Sequence, residues 1–323
     1  MIVLGIETSC DETAAALVKD GREVLADVVY SQISVHREYG GVVPEIASRN
    51  HLMKITLVLE ETFTRAGMKP ADIDLVAVTT HPGLIGSLLV GINAAGTLAL
   101  AQDKPLVEVD HIHGHIYANY LEGDFRFPTL ALVVSGGHTE LVLMRGHFDF
   151  ELLGQTFDDA VGECYDKVGR LIGLEYPAGP ALDKLAHTGQ PVYELPLIYL
   201  DKHEYNFSFS GLKTAVLNLV NTRKMRGEEI NQADLAASFQ NSVVCVLVDK
   251  TISAARAYGV RQVVLAGGVA ANRGLREAMK EAVAKLDDVV LTLPSLRYCT
   301  DNAAMIAAAG YFQYQTQRIE NTD

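Results

Sequence analysis

Tryptophan is absent, and the four cysteines, Cys10, Cys164, Cys245 and Cys299, lie far apart with no CxxC pair among them. Such spacing builds neither a disulfide framework nor a cysteine-rich metal site, and unpaired thiols suit a reducing compartment, so a cytoplasmic location is expected. Positive charge is scarce as well: 27 Lys and Arg stand against 40 Asp and Glu, a net charge of -13. Affinity for polyanions comes mainly from Lys and Arg on phosphates, so this surface as a whole is not one that coats itself in nucleic acid. One local basic stretch remains, Arg223, Lys224 and Arg226 in NTRKMRGEE with Lys202 and Lys213 nearby in sequence, which reads equally as a solvated loop or helix end. Three fingerprints are missing: GxxxxGKS/T of the P-loop, GxGxxG of dinucleotide sites, and the HExxH of zinc peptidases. Any nucleotide must therefore be held by other means.

A long membrane span is lacking too. The stretch HPGLIGSLLVGINAAGTLALAQ ahead of Asp103 carries no Asp, Glu, Lys or Arg and approaches bilayer length, but Gly83, Gly86, Ser87, Gly91, Asn93, Gly96 and Thr97 make it weakly hydrophobic. A helix packed against a sheet is the expectation, with no membrane involvement. The N-terminus has no basic segment, and Glu7 interrupts its apolar start, so it reads as a strand and not a signal peptide.

What is present is a chain of 323 residues, 49% hydrophobic, long enough for two domains with sizeable cores. Runs rich in Val, Ile and Leu mark strands at residues 2–7, 13–19, 23–31 and 74–80. Helices are expected over 44–66, where Pro44 suits the first turn and Ile46, His51, Ile55, Leu59 and Phe63 recur, and over 84–101. After PLVEV the pattern restarts: FPTLALVVS, HTELVLMRG and FDFELLGQT read as three strands, with helices from Asp158 onward. Both openings place small or hydroxyl residues between two apolar strands, Thr8 and Ser9 before Asp11 in one, Ser135, Gly136 and Gly137 before His138 in the other. This predicts an α/β chain with a duplicated lobe. Either turn is an ordinary hairpin or a place where unpaired amides receive phosphate oxygens, Gly permitting close approach.

His111 and His115, in DHIHGHIYANYLEG, have the spacing that puts two imidazoles on one helical face, a two-point grip for a metal ion. Thr300 and Asp301 are expected to cap the helix in DNAAMIAAAGYFQYQ, and Asp301 can instead supply an anionic oxygen to the metal, leaving positions open for substrate. A third turn, Ala266 to Val269, follows the strand QVVLA and precedes a helix with Asn272 in its first turn, where the dipole favours a polar or anionic ligand.

Through almost its whole length the chain resembles the tRNA threonylcarbamoyladenosine transferases, once described as O-sialoglycoprotein endopeptidases. The motifs are GIETSCDET, YGGVVPEIASRNH, PGLIGSLLVG, HIHGH, VSGGHTEL, GECYDKVGRLIGLEYPAGP, NFSFSGLKTAV, LAGGVAANR and CTDNAAMIAAAG. The details in VSGGHT and NFSFSGLKT are similar to the bacterial branch. The resemblance implies a two-lobed fold of the actin, sugar-kinase and heat-shock-chaperone ATPase type, with ribonuclease-H-like lobes at 1–108 plus 301–323 and at 109–300, the second with a helical insertion and the active cleft between them. It also implies a divalent metal, iron(II) in preference to zinc, on His111, His115 and Asp301. The adenylate part of the donor would lie on Val133, Val134, Ser135, Gly136, Gly137, Asp166, Gly179 and Asn272, with Asp183 able to meet the ribose. Asp11 and Glu12 are the candidate catalytic carboxylates. His113 departs from the family pattern and, two positions along the helix, should turn from the 111 and 115 face.

The activity so implied moves the threonylcarbamoyl group from threonylcarbamoyl-adenylate to N6 of adenosine 37, in tRNAs reading codons that begin with adenine, and releases AMP. ATP or ADP can occupy the same site. Partners implied are tRNA, a smaller paralogue of the same fold, a P-loop ATPase and a second copy of the chain, and the helix from Pro44 to Ala66 is the candidate docking face. The competing readings are an ATPase or kinase of the same superfamily, which would not need the His pair, an accessory subunit, and a metallopeptidase, against which Ile112 stands where HExxH requires Glu.

Overall fold

The computed structural model describes residues 1–200 and 204–320, which leaves Lys202 outside the described residues. Two compact units are present. The first contains Met1–Phe125, His147–Asp149 and the segment from Pro294 onward; the second contains Arg126–Gly146 and Phe150–Leu293.

The first unit begins β1 (Ile2–Glu7), β2 (Glu12–Lys19), β3 (Glu23–Ser31), α1 (Ile33–Arg37) and α2 (Pro44–Ala66). It continues β4 (Leu75–His81), α3 (Ile85–Gln102), β5 (Leu106–Asp110) and α4 (His111–Tyr117). In the second unit follow β6 (Thr129–Val134), β7 (Thr139–Gly146), β8 (Asp149–Gln155), α5 (Val161–Leu171), α6 (Gly179–Ala186), α7 (Ser210–Met225) and α8 (Gln232–Ala257). β9 (Gln262–Ala266), α9 (Arg273–Val283) and β10 (Val290–Thr292) close it, and α10 (Ala303–Glu320) returns the chain to the first unit.

The first sheet runs β3-β2-β1-β4-β5, with β1 antiparallel to β2 and parallel to β4. The second runs β10-β9-β6-β7-β8, which is the same order read from the other edge: third, second, first, fourth and fifth strand of the unit. The duplication is thus one of topology, and each unit is ribonuclease-H-like. β5 and β10 are edge strands that hydrophobic alternation alone did not mark, being short and half exposed.

β1 lies between β2 and β4 and is buried from Val3 to Glu7, which is why it reads as a continuous apolar run instead of an alternating one. Leu4, Ile6, Leu17, Ile55, Phe63, Val76, Val78 and Ala99 form one core, each large side chain contributing about 1.5–3 kcal/mol on burial. α2 starts at Pro44 and ends where Gly67 takes φ 65° and donates back to Phe63 and Thr64. α3 is long and apolar enough to cross a membrane by length and composition. Its stripe of Ser87, Leu88, Gly91, Ala95 and Ala99 is buried, while Ile85, Leu89 and Leu100 are exposed, so the expected packing covers one face only.

The expected division at 108/109 falls within β5, and the first unit instead runs on to Phe125. The physical reason is aromatic. Tyr117 stacks on Phe312 of α10, and Tyr120 meets Phe312 edge-on at 4.5 Å, so α4 is fixed to α10 and His111 and His115 belong to the first unit.

Candidate functional site

In the first unit, β5 ends at Asp110, whose Oδ1 accepts the amides of Ile112 and His113 at 2.7 and 3.1 Å. This N-cap starts α4 at the first histidine. One turn later comes His115, and the two rings meet edge-on with centroids 4.6 Å apart. Gly114 lets α10 approach, since a Cβ there would lie 2.6 Å from the Ile306 side chain. Asp301 stands two residues before α10, its Oδ1 3.2 Å from His115 Nε2 and 3.6 Å from His111 Nε2. The cap of α10 is neither Thr300 nor Asp301, as expected from sequence, but Asn302, whose Oδ1 accepts Met305 N at 2.9 Å. Asp301 is thereby left for other work.

One atom from each of His111, His115 and Asp301 lies within 4.8 Å of the others, and both imidazoles are buried. Two nitrogens and one carboxylate oxygen so gathered fit a divalent ion with positions to spare. The surroundings are acidic. Burial alone would lower the His111 pKa, but the carboxylates of Asp301 and Glu7 outweigh it and raise it to about 9. Burial pushes the Glu12 carboxyl well above its usual range, and the charges of Asp301 and Asp11 add to this. Ser31 donates to Glu12 at 3.0 Å. Asp11, Glu12 and Asp301 therefore form one electrostatic neighbourhood with the two imidazoles, a cage whose charge favours a cation. Its sheet-side wall is Glu7, fully buried and absent from the sequence-based candidates. The signal was there: an acidic residue ending an apolar strand is almost never buried without a partner.

His113 packs edge-on to Phe148 at 5.9 Å and does not join the His111–His115 pair, as its place on the helix predicts. Burial lowers its pKa.

In the second unit, the β6–β7 turn is tied by its own serine. Ser135 Oγ accepts the amides of Gly137 at 3.3 Å and His138 at 3.0 Å, and Ser135 N donates to His138 O at 2.8 Å. Gly136 and Gly137 are exposed, and nothing lies within 4 Å of where their Cβ atoms would be. Val133 and Val134 are fully buried in β6, so their side chains offer no surface and serve to place the turn. Two glycines press against it, Gly162, which was not singled out from sequence, and Gly267 of the third expected turn. Gly162 of α5 would clash through a Cβ with the Ser135 carbonyl carbon, 2.9 Å away, and Gly267, at φ 88°, with Val134 and Ser135.

The remaining polar candidates all hold helix starts. Asp166 Oδ1 accepts Ala178 N at 2.7 Å and Gly179 N at 3.1 Å; burial raises its pKa although those amides work against it. Asn272 stands before α9, not in its first turn, because a short 3-10 turn over Gly268–Ala271 intervenes; it caps Leu275 N at 2.8 Å and donates to Gln240 at 2.9 Å. Asp183 Oδ2 accepts Arg273 N at 3.0 Å at the same helix end. The structure thus gathers Ser135, Gly136 and Gly137 at one turn, Asp166 with Gly179, and Asp183 with Asn272.

The family model described as tRNA N6-adenosine threonylcarbamoyltransferase (TsaD) matches residues 23–308. A tRNA N6-adenosine threonylcarbamoyltransferase of Geobacillus kaustophilus (strain HTA426) is 62% identical over 313 residues, 97% of this chain and 92% of its own length. Among solved structures, T.kodakarensis HypF is similar with a TM-score of 0.65 and 16% identity, covering 98% of this chain and 48% of that one. Component A of the Acidaminococcus fermentans (R)-2-hydroxyglutaryl-CoA dehydratase is similar with a TM-score of 0.57 and 16% identity, covering 98% and 99%. At such identity these two likenesses speak to fold alone.

Proposed function

Because the chain belongs to the tRNA N6-adenosine threonylcarbamoyltransferase family, and is thereby a transferase that modifies tRNA, we propose that it carries out the transfer with one divalent ion on His111, His115 and Asp301. The observation that supports this most is the convergence of two buried imidazoles and the half-buried Asp301 carboxylate within 4.8 Å. Two imidazoles and one carboxylate with open positions suit both iron(II) and zinc, and iron(II) is the ion that the family resemblance favours. Bound there, the ion supplies Lewis-acid polarisation to the carbonyl or phosphate oxygens of the donor.

The donor is threonylcarbamoyl-adenylate. Its phosphate is held at the Gly136–Gly137 turn between β6 and β7, where the Gly136 amide faces it, and its ribose by the second carboxylate oxygen of Asp166; Val133, Val134, Gly179, Asp183 and Asn272 keep that frame, and ATP or ADP fits the same frame. The exposed, unobstructed faces of Gly136 and Gly137 support this reading. In the reaction, the N6 lone pair of adenosine 37, in tRNAs reading codons that begin with adenine, forms a bond to the carbamoyl carbon. The bond from that carbon to the phosphate oxygen breaks, and AMP leaves with the electron pair. N6 loses one proton, and Asp11 and Glu12 are the pair that handles it, Glu12 being the member whose burial favours the neutral form.

With a net charge of -13 the chain presents a poor surface for a polyanion, so the tRNA surface is completed by partners, the smaller paralogue and the P-loop ATPase, in the cytoplasm. The paralogue docks on α2 and α3, where Leu52, Met53, Leu57, Ile85 and Leu89 are exposed beside a groove of about 610 Å³ between the two helices. A second copy of the chain is the alternative occupant of that face.

The test is mass spectrometry of nucleosides from unmodified tRNA incubated with the metal-loaded chain, synthetic threonylcarbamoyl-adenylate and the two partner proteins, each omitted in turn. A modified adenosine that requires this chain is expected, with His111→Ala lowering metal content and transfer together. Full transfer by metal-free His111→Ala overturns the role of the ion.

A further inference from the structure

The two histidines of the metal centre are not held alike. His111 Nδ1 lies 3.0 Å from Glu7 Oε2 and 3.2 Å from Ser9 Oγ, whereas His115 Nδ1 is buried with no hydrogen-bond partner. Glu7 is itself immobilised. It ends β1 at the centre of the sheet, has no exposed surface, and accepts the Thr79 hydroxyl on Oε2 at 2.6 Å and the Ser9 amide on Oε1.

We propose that Glu7 is the positioning residue of the metal centre, its carboxylate fixing the His111 ring so that Nε2 is the lone-pair nitrogen turned toward Asp301 and His115. This rests on the reading of His111, His115 and Asp301 as a metal site.

The argument is one of donors and acceptors. The Ser9 amide is an obligate donor, Thr79 donates, and both converge on the same carboxylate. An ionised carboxylate has acceptors only, so the remaining neighbour, His111 Nδ1, meets it as N–H. When the proton on Nε2 gives way to the metal, the imidazole left protonated on Nδ1 carries its lone pair on Nε2, the atom 3.6 Å from Asp301 Oδ1. Carboxylate, imidazole and metal position then lie in one relay, the arrangement that fixes tautomer and ring orientation at metal-bound histidines. Position 104 residues away in sequence, Glu7 reaches His111 only because β1 and β5 flank β4 in the sheet.

Glutamine cannot substitute. Its amide has one acceptor oxygen for two sets of donors. If that oxygen faces Ser9 N, the NH2 group faces Nδ1 and selects the tautomer with the proton on Nε2, which leaves no lone pair on the nitrogen turned toward Asp301; if it faces His111, the Ser9 amide is left opposite a donor.

The experiment measures Co²⁺ affinity of the full chain by competition with a chromophoric chelator, together with the visible absorption of the bound ion, for wild type, Glu7→Gln, His111→Ala and the double variant. Wild type should bind one equivalent. Glu7→Gln should bind about 10- to 100-fold more weakly, and in the His111→Ala background the same substitution should change nothing further. Unchanged affinity in Glu7→Gln, or an equal loss in both backgrounds, overturns the proposal; failure of wild type to bind Co²⁺, or full binding by His111→Ala, overturns the metal site beneath it. Should Glu7→Gln not fold, Glu7→Asp keeps the charge and withdraws the carboxylate from the ring, and the same cycle is read with a loss of a few-fold.

Discussion

Substituting Gly5 by alanine places a methyl group where β1 meets α10. The new Cβ would press on the Ala303 carbonyl oxygen and lie 2.8 Å from Ala307 N and 3.0 Å from Ala307 Cβ. Two of those three atoms are helix backbone, which has no rotamer to change, so relief requires the start of α10 to retreat from the sheet by roughly 1 Å against a core of interior packing density. Overpacking of this kind costs about 1–3 kcal/mol. Gly114→Ala is the matched control. Its Cβ would meet the terminal Ile306 Cδ1 atom at 2.6 Å and lie in ordinary contact with the Met305 side chain, Cγ at 3.4 Å, and alanine within α4 regains about 1 kcal/mol of helix propensity. Thermal unfolding followed by circular dichroism should show Gly5→Ala melting several degrees lower, on the scale of about 2–4 °C per kcal/mol, with Gly114→Ala close to wild type. Because Asp301 lies two residues ahead of α10, Gly5→Ala should also weaken metal binding more than Gly114→Ala does. Equal shifts in the two variants would refute the claim that backbone contact at Gly5 sets the position of α10.

Asp27 on β3 is raised to about 6 by burial, partly offset by Arg297 and the Ala303 amide, and its Oδ1 has no hydrogen-bond partner. A carboxyl whose folded pKa exceeds the unfolded value of about 3.9 stabilises the fold as pH falls from about 6 to about 4, and that stability is lost as pH rises through the same window. The difference of about two units corresponds to roughly 3 kcal/mol as an upper bound, so Asp27→Asn should be the more stable protein at pH 7.5 and lose its advantage near pH 4; an advantage independent of pH between 4 and 7.5 would discount the burial argument. On α2 and α3, Leu52→Asp with Leu89→Asp should abolish association with the paralogue in analytical ultracentrifugation while leaving Co²⁺ affinity within two-fold of wild type, and undiminished association would move the docking face elsewhere.

Much of the fold was legible because its signals are local. The helix from Pro44 to Ala66 announces itself by a proline at the first turn and a glycine beyond the last, and its observed bounds coincide with the expected ones. Strands β1 to β4 follow from apolar runs, and the repeated order of strand, turn and strand foretold the shared topology of the two sheets. What escaped was set by distant contacts. The boundary at Phe125 depends on rings brought together from residues 117, 120, 125 and 312, and the edge strands β5 and β10 are short enough that three to five residues carry too little pattern.

The site divides along the same line. A spacing of four on a helix is readable, so His111 and His115 stood out, and an acidic residue before an apolar helix was visible at Asp301. Which of Thr300, Asp301 and Asn302 caps that helix was not readable, since all three side chains can cap, and the choice is made by geometry: Asn302 takes the Met305 amide and so releases the Asp301 carboxylate toward the histidines. Glu7 shows the opposite case. Its burial beside Thr79 and His111 is a property of sheet order, invisible until β1, β4 and β5 are aligned, yet the presence of a lone acid in an apolar strand already demanded a buried partner. A sequence can therefore reveal that such a residue needs a partner before a fold reveals which one, and the Glu7–His111 pair is where that demand and the metal-binding spacing meet.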